Sequence, residues 1–358
     1  MTGSDRRRDA LTHRVVAEVP TGFGPEGAIV DAAGRRAYVT SSRSHELTIV
    51  DLDRLTVVGR LPAGREPTDI VLDEATGRLF VADLRSNTVS VIDADAGHVE
   101  ATLDVPLIPS GLALDGEHRR LYCGCAAGQV CVIDVDAPAV LTTVKAELGA
   151  GGIAVDPPAR RAYCANFMAD SVTVVDTEAV EAVGRIDVGR APCAVAVSAA
   201  AGHAYVANSI SDGVTRIDLA TGEASGEFAV GRGPVGVTGS PTGDRVYVGN
   251  RGEGTVSVLD AATGAERARI PVGEAPAGCV VDPKTGWLLV SNAGSGTLSV
   301  LEELHAGPAC AVFSQAPDHP LIGRTLPPFA LRDLRDGRTR HSREWSERKY
   351  ILNFFASW

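Results

Sequence analysis

Residues 192–218 read PCAVAVSAAAGHAYVANSISDGVTRID, and this stretch decides the fold. Short apolar runs alternate here with turns of small and polar residues, which is the pattern of β-strands joined by tight connections. The turn Ala220-Thr221-Gly222 then leads into one further run. The pattern predicts an inner strand at Ala194–Val197, a second strand at Ala204–Asn208, a third at Val214–Asp218 and an outer strand that ends near Val230.

The same pattern recurs seven times, at a spacing of 41 or 42 residues. A large residue of the second strand recurs at Tyr38, Phe80, Tyr122, Tyr163, Tyr205, Tyr247 and Leu289. A turn residue precedes the inner strand at Pro25, Pro67, Pro109, Gly151, Pro192, Pro234 and Pro276. An acidic residue ends the third strand at Asp51, Asp93, Asp134, Asp176, Asp218, Asp260 and Glu302. A four-stranded antiparallel repeat of this length indicates a propeller blade.

The two ends of the repeat array predict how the ring closes. Val15–Val19 aligns with the outer strands of the later copies, whereas the seventh copy has no outer strand after Glu302. An N-terminal strand that completes the seventh blade removes two exposed sheet edges. The sequence therefore predicts an all-β fold, a seven-bladed β-propeller over residues 14–305 that follows a tail of residues 1–13.

The second strands carry a family resemblance. Tyr205-Val206-Ala207-Asn208 and Tyr247-Val248-Gly249-Asn250, each followed by a β-branched run that ends in Asp, resemble the YVTN type of propeller repeat. No Trp-Asp dipeptide ends the blades, so the repeats do not resemble the WD40 type. The repeated Asn and Asp side chains are interpreted as structural groups of turns and ladders, because every blade needs them equally.

After Glu302 the periodicity stops, and residues 306–321 are predicted to form a linker. The sequence then reads GRTLPPFAL from Gly323 to Leu331, has Asp336-Gly337, and reads YILNFFASW from Tyr350 to Trp358. Residues 322–358 resemble the opening of a thioredoxin-like domain of the redoxin (peroxiredoxin and thiol-reductase) type. That resemblance implies an incomplete α/β segment. In the family, a Cys-x-x-Cys motif follows at the start of a helix, which lowers the pKa of the first thiol.

The sequence ends at Trp358, and no Cys follows Cys310. We therefore expect these 358 residues by themselves to lack redox activity. Three explanations are open: a fragment of a longer product, a following UGA codon that is read as selenocysteine, or a tail that ends here. Sequencing of the DNA downstream of Trp358 distinguishes them.

Composition and charge limit the classes of partner. The net charge of −11 argues against nucleic acid and against anionic membranes, because both need basic patches. No apolar stretch reaches the length of a membrane span, and no apolar region follows Arg6, Arg7 and Arg8. The sequence thus predicts a cytoplasmic protein with no nucleic-acid or membrane partner, and no cofactor motif stands out in it.

Most of the cysteines are predicted to be core residues, not metal ligands. Cys123 and Cys164 occupy the slot that Val39 and Val81 fill in other repeats, and zinc sites need four converging ligands. Cys193 is the exception, because it follows Pro192 at the start of an inner strand. The equivalent residues are predicted to line one mouth of the central channel: Glu26, Thr68, Ser110, Cys193, Val235 and Ala277.

Arginines recur in the loops beside that mouth. Arg65, Arg190 and Arg232 precede inner strands, with Glu274 as the odd member of the set, and Arg85 and Arg251 follow second strands. Arg43, His45, Phe167 and Asp170 belong to the same kind of loop. This set, with Cys193, predicts a face for an anionic small molecule or an acidic protein surface. Solvated surface charge is the simpler interpretation.

Three functions are compatible with these features. The first is a binding scaffold attached to a thiol–disulfide oxidoreductase or peroxide reductase that lacks its nucleophile here. The alternatives are a lactonase-like hydrolase within the propeller or a pure interaction scaffold. Lactonase-type propellers carry converging acidic, Asn and His groups, and the predicted mouth residues show no such set. Quinone-dependent dehydrogenase chemistry would need further ligands and export. Whether the chain is an enzyme is left undecided by the sequence.

Overall fold

Each repeat folds into one four-stranded antiparallel sheet in the computed structural model, which describes residues 12–304, 330–332 and 339–341. The N-terminal strand is β1 (Thr12–Pro20). Blades 1 and 2 contain β2 (Pro25–Asp31), β3 (Arg36–Ser41), β4 (Glu46–Asp51), β5 (Thr56–Pro62), β6 (Pro67–Asp73), β7 (Arg78–Asp83), β8 (Thr88–Asp93) and β9 (His98–Asp104). Blades 3 and 4 contain β10 (Pro109–Asp115), β11 (Arg120–Cys125), β12 (Gln129–Asp134), β13 (Ala139–Lys145), β14 (Ala150–Asp156), β15 (Arg161–Asn166), β16 (Ser171–Asp176) and β17 (Glu181–Asp187).

The remaining blades repeat the same order. Blades 5 and 6 contain β18 (Pro192–Ser198), β19 (His203–Asn208), β20 (Gly213–Asp218), β21 (Ala224–Ala229), β22 (Pro234–Gly239), β23 (Arg245–Asn250), β24 (Thr255–Asp260) and β25 (Glu266–Pro271). Blade 7 contains β26 (Pro276–Val281), β27 (Leu288–Asn292) and β28 (Thr297–Leu304), together with β1. The inner strands contact one another in sequence, and β26 contacts β2, so the blades close into the predicted seven-bladed β-propeller.

The core lies between neighbouring blades. In the second strands of all blades from 1 to 6, every residue after the first is buried. These strands are covered by the blades on both sides, which is why they read as continuous apolar runs. Tyr38, Phe80, Tyr122 and Tyr205, the predicted markers, are among the largest fully buried side chains. The outer strands alternate or face solvent, as β9 does.

The ring closes through β1, as the sequence predicted. β1 pairs antiparallel with β28, and the sheet order is β1-β28-β27-β26. The strand starts at Thr12, within the predicted tail of residues 1–13. Pairing with Glu303 holds His13 in the sheet. Burial there and the nearby Arg245 lower the pKa of His13 to about 4, which keeps its ring neutral near pH 7.

The turn residue predicted for the fourth copy, Gly151, is wrong by one residue. Ala150, and not Gly151, pairs with Asn166, as Pro192 pairs with Asn208 one blade later. The turn between Cys125 and Gln129 is one residue shorter than the other turns of its kind. Equivalent residues on the two sides of that turn are therefore 41 residues apart, and not 42.

Two arginines on the lower face, where the inner strands end, join neighbouring blades. Arg35 of blade 1 lies 2.7 Å from the buried Asp282 of blade 7, across the closure of the ring. Arg119 of blade 3 binds Asp73 of blade 2 at 2.8 and 2.6 Å. Burial would raise the pKa of Asp282, yet hydrogen bonds from Thr285 and Arg35 hold it below its usual range.

Residues Gly307–Trp358 form a second unit. In it the structure describes β29 (Ala330–Arg332) and β30 (Thr339–His341), which pair antiparallel. The rest of the predicted linker and redoxin-like segment lies outside the described residues. Among the residues that the structure describes, none belongs to a helix long and apolar enough to cross a membrane.

Candidate functional site

The inner strands begin at one mouth of the central channel and enclose a cavity of about 310 Å³. Each strand runs from this mouth towards the lower face. The second residue of the inner strand lines the cavity in six blades, as the sequence predicted. These residues are Glu26, Thr68, Ser110, Cys193, Val235 and Ala277. We call the surface around this mouth the upper face. It is formed by the loops that lead into the inner strands and by the loops between second and third strands.

The next residue of each inner strand is small in six blades, because the blades approach closely there. It is Gly27, Gly111, Gly152, Ala194, Gly236 and Gly278. A Cβ atom on Gly236 would lie 1.9 Å from the carbonyl oxygen of Ala277 in the next blade. On Gly278 it would lie 2.4 Å from that of Glu26. Backbone rather than side chains therefore forms this part of the channel wall.

Asp69 occupies this position in blade 2, and no sequence pattern had marked it as a site residue. Its Oδ2 accepts a hydrogen bond of 2.8 Å from the N–H of Leu112 in blade 3, and its Oδ1 accepts one of 2.9 Å from its own neighbour Ile70. The carboxyl group lines the cavity yet is surrounded by the blades. Burial raises its pKa to about 6, although the two backbone hydrogen bonds act to lower the pKa. The signal was visible in the repeat: this is the one acidic residue in a column of glycine and alanine.

Replacing Asp69 with glycine, as in five other blades, is expected to remove one pH dependence of stability. Folding raises the pKa of Asp69 from 3.8 to about 6. Its stabilising contribution is therefore complete below the unfolded pKa and is lost as pH rises through 6. The unfolding free energy of the wild type minus that of Asp69→Gly should fall by about 2 kcal/mol between about pH 4 and about pH 7.

Urea unfolding at several pH values measures this difference. His13 titrates in the opposite direction, since its pKa is lowered, but it is present in both proteins and cancels. Asp69→Ala is the matched second variant, because blade 5 carries alanine, Ala194, at the equivalent position. A difference that stays flat or rises over this pH range would contradict the prediction.

Arg251 points into the mouth, where Glu26 neutralises it. The guanidinium binds the carboxylate at 2.9 and 3.1 Å, between blades 6 and 1, and this hydrogen bonding raises the pKa of Arg251. With Arg251 and Glu26 paired, the ionised Asp69 is the uncompensated charge in the cavity. The channel itself is therefore unfavourable for an anion, and blades 4 to 7 line it mainly with apolar groups.

Cys193 lies at the mouth as predicted, but its thiol is held as a donor. It donates to the carbonyl oxygens of Pro234 at 3.3 Å and Ala207 at 3.5 Å. Burial raises its pKa to about 12, which disfavours a nucleophilic thiolate. Cys123, Cys125, Cys131 and Cys164 are buried core residues. Over the described part of the chain, no group of three or more potential ligands is placed to hold a metal ion.

The other predicted arginines lie exposed on the upper face, in two groups. Arg85 is bound to Glu66 at 3.2 Å, and Arg232 lies 3.7 Å from Glu253. Arg65 and Arg190 have no carboxylate within ion-pair distance among the residues that the structure describes, and neither has Arg43. Arg43, Arg65 and Arg85 thus lie in loops of the neighbouring blades 1 and 2, and Arg190 and Arg232 lie in loops of the neighbouring blades 5 and 6.

Between the two groups of arginines, the upper face exposes large apolar side chains, beside the carboxylates of Glu147 and Asp170. Six large side chains of blades 3 to 5 are 44–73% exposed there: Leu107, Ile108, Leu148, Phe167, Met168 and Ile210. We call these six residues the apolar sector. Phe167 was predicted from the sequence to lie on this face, and the other five were not. Their signal lay in the repeat as well, because Leu107 and Leu148 stand in the loop position that Arg65, Arg190 and Arg232 occupy elsewhere.

Comparison with known proteins identifies the fold only. The chain is similar to a solved structure of Kuenenia stuttgartiensis hydrazine synthase, with a TM-score of 0.71 and 18% sequence identity over 77% of this chain and 95% of the other. No protein-family model matches the sequence, and no curated protein does. At this identity the likeness shows a shared β-propeller and carries no activity across, since propellers host many unrelated functions.

Proposed function

We propose that this propeller is a binding module that holds an anionic partner on its upper face. The observation that carries the proposal is the unpaired charge of Arg65 and Arg190. Both side chains are exposed, and neither meets a carboxylate within the described residues. Elsewhere on this acidic protein arginines are mostly paired, as Arg54, Arg160 and Arg269 are. Free positive charge on one face of a protein with net charge −11 favours an anionic partner.

Charge reversal on the upper face tests the proposal. The variant Arg65→Glu/Arg190→Glu is expected to bind a fluorescein-labelled oligoglutamate peptide about tenfold more weakly than the wild type at low ionic strength. Fluorescence anisotropy measures the dissociation constant. The matched control is Arg54→Glu/Arg160→Glu, which changes the net charge equally on the lower face. Equal weakening by both pairs would mean that only total charge matters, and the proposal would fail.

A redox role for the attached segment rests on the resemblance of residues 322–358 to the redoxin family. One described feature is compatible with it: β29 and β30 pair antiparallel and flank the stretch that contains Asp336-Gly337. In this proposal the propeller recruits a substrate for a thiol-dependent reductase. A thiol-reduction assay on a protein extended past Trp358 tests it, and absence of activity counts against it.

A lactonase-like role for the propeller is not favoured. The cavity offers two carboxylates, those of Glu26 and Asp69, and both already accept hydrogen bonds. None of its lining residues is a histidine. Hydrolysis of a lactone by the intact chain would overturn this preference.

A further inference from the structure

The loops that carry Leu107 and Leu148 do not require leucine. Phe23, Arg65, Leu107, Leu148, Arg190, Arg232 and Glu274 occupy one equivalent loop position in the seven blades. The residue that follows has positive φ every time: Gly24, Glu66, Ile108, Gly149, Ala191, Gly233 and Ala275. In six blades the carbonyl oxygen of the first of these two residues accepts a backbone hydrogen bond from the loop between the second and third strands of the same blade. The same loop thus forms with arginine, glutamate, phenylalanine or leucine, so leucine at blades 3 and 4 needs another reason.

A second loop position shows the same contrast. Arg43, Arg85, Met168 and Ile210 are equivalent residues after the second strands of blades 1, 2, 4 and 5. Met168 is 73% exposed, which makes it one of the most exposed large apolar side chains in the described residues. Large apolar groups therefore replace arginines at two independent positions. Those of blades 3 to 5 are in neighbouring blades, whereas Phe23 of blade 1 is separated from them by blade 2. Exposed apolar residues that cluster in this way mark interaction sites.

The apolar sector contains a groove of about 420 Å³ between blades 3 and 4. Its lining includes Leu148 and Met168 as apolar walls, with Lys145 at one side. Lys145 is exposed and meets no carboxylate within ion-pair distance in the described part of the chain. Glu147 also lines the groove, and its carboxylate is bound to Arg185 at 3.0 Å and to Ser171. The groove thus combines apolar walls with the free charge of Lys145 and a carboxylate, that of Glu147, which is already paired. Arginines stand on both sides of the sector.

We propose that the apolar sector docks a segment of another protein that carries large apolar side chains flanked by carboxylates. This inference rests on the proposed function and makes its partner a polypeptide. The apolar side chains of the segment enter the groove beside Leu148 and Met168. Its carboxylates face Lys145 and the arginines of blades 2 and 5. Charge complementarity decides for an acidic segment, and the apolar groove decides against a small inorganic anion, which has no apolar surface to bury.

The test uses a displayed library of random peptides, selected on the full-length chain. Selected peptides are expected to contain large apolar residues next to acidic ones. The synthetic form of a selected peptide is then titrated against Leu148→Arg/Met168→Arg. Both replacements copy residues that other blades carry at the same positions, so the fold should be retained. We expect binding to weaken by at least about tenfold.

The added positive charge makes this variant decisive. If only electrostatics held the segment, two new arginines would tighten the binding of an acidic peptide, so the two explanations predict opposite signs. Val58→Arg/Val183→Arg adds the same charge at two exposed apolar residues of outer strands and should leave binding unchanged.

Tighter or unchanged binding to Leu148→Arg/Met168→Arg would overturn the inference, as would selected peptides that are acidic but lack apolar residues. In either case the result with Arg65→Glu/Arg190→Glu can still stand. A wild-type dimer in sedimentation that the variant abolishes would assign the sector to a second copy of this chain and overturn the inference as well. Apolar peptides without acidic residues, unaffected by Arg65→Glu/Arg190→Glu, would also overturn the inference, because the proposed segment carries carboxylates.

Discussion

A chain that begins at Thr21 is expected to lose its cooperative unfolding transition, whereas a chain that begins at Thr12 keeps it. The shorter chain lacks β1, and with it all pairs between β1 and β28. Val19, which is buried in the core between blades 7 and 1, is lost as well. Each blade packs on its neighbours, so the loss of the closing strand affects the whole ring. We expect the deletion to remove most of the unfolding free energy, which is ~5–15 kcal/mol for a typical domain.

Circular dichroism during urea or thermal unfolding measures the effect. Without β1, β28 becomes an open edge that can pair with another chain, so size-exclusion chromatography should also show aggregation. The chain that begins at Thr12 is the control, because it retains every described pair of β1. A cooperative transition in the shorter chain, within about 2 kcal/mol of the control, would show that the ring is stable without its closing strand.

Gly236→Ala is expected to destabilise the propeller by about 3 kcal/mol or more, although it adds a single methyl group. The new Cβ would lie 1.9 Å from the carbonyl oxygen of Ala277, which is backbone and therefore cannot rotate away. Relief requires blades 6 and 7 to separate, and the ring transmits that shift to other blade contacts. Blade 5 carries Ala194 and blade 2 carries Asp69 at this position. Only some pairs of neighbouring blades therefore leave room for a side chain here.

Gly116→Ala is the matched control for the change in backbone entropy. Nothing lies within 4 Å of a Cβ at Gly116, and its φ is not in the left-handed region. We expect this variant to equal the wild type or to gain up to about 1 kcal/mol, because alanine restricts the unfolded chain. Urea unfolding of both variants gives the comparison. A loss below about 1 kcal/mol for Gly236→Ala would mean that the blades adjust freely at the channel.

Much of the architecture was predictable because it is periodic. Tyr38, Phe80 and Tyr122 are buried in the structure at the spacing that marked them in the sequence. The ring of residues at the channel mouth was also predictable, because equivalent strands meet at the same end of a propeller. The shifted register at Ala150 shows the limit, since one residue was lost in a turn and no marker within that turn reports it.

The candidate site was predicted less completely, because it consists of departures from the repeat. Asp69 and Leu148 differ from their equivalents in other blades, and a search for what the repeats share passes over them. Comparison of the seven copies position by position would have found both. Even then, the raised pKa of Asp69 depends on burial among the blades, which no single repeat contains.

The sequence by itself determined the number of blades, the strands within each blade and the closure by an N-terminal strand. It could do so because strand geometry forces apolar and turn residues to recur at fixed spacing. Only the tertiary structure decided which charges are free. Arg251 and Arg190 look alike in the sequence, yet Arg251 is neutralised by Glu26, 225 residues away, while Arg190 remains without a carboxylate in the described residues. The reason is physical: ion pairs depend on distances between side chains, and ring closure creates distances that periodicity does not encode.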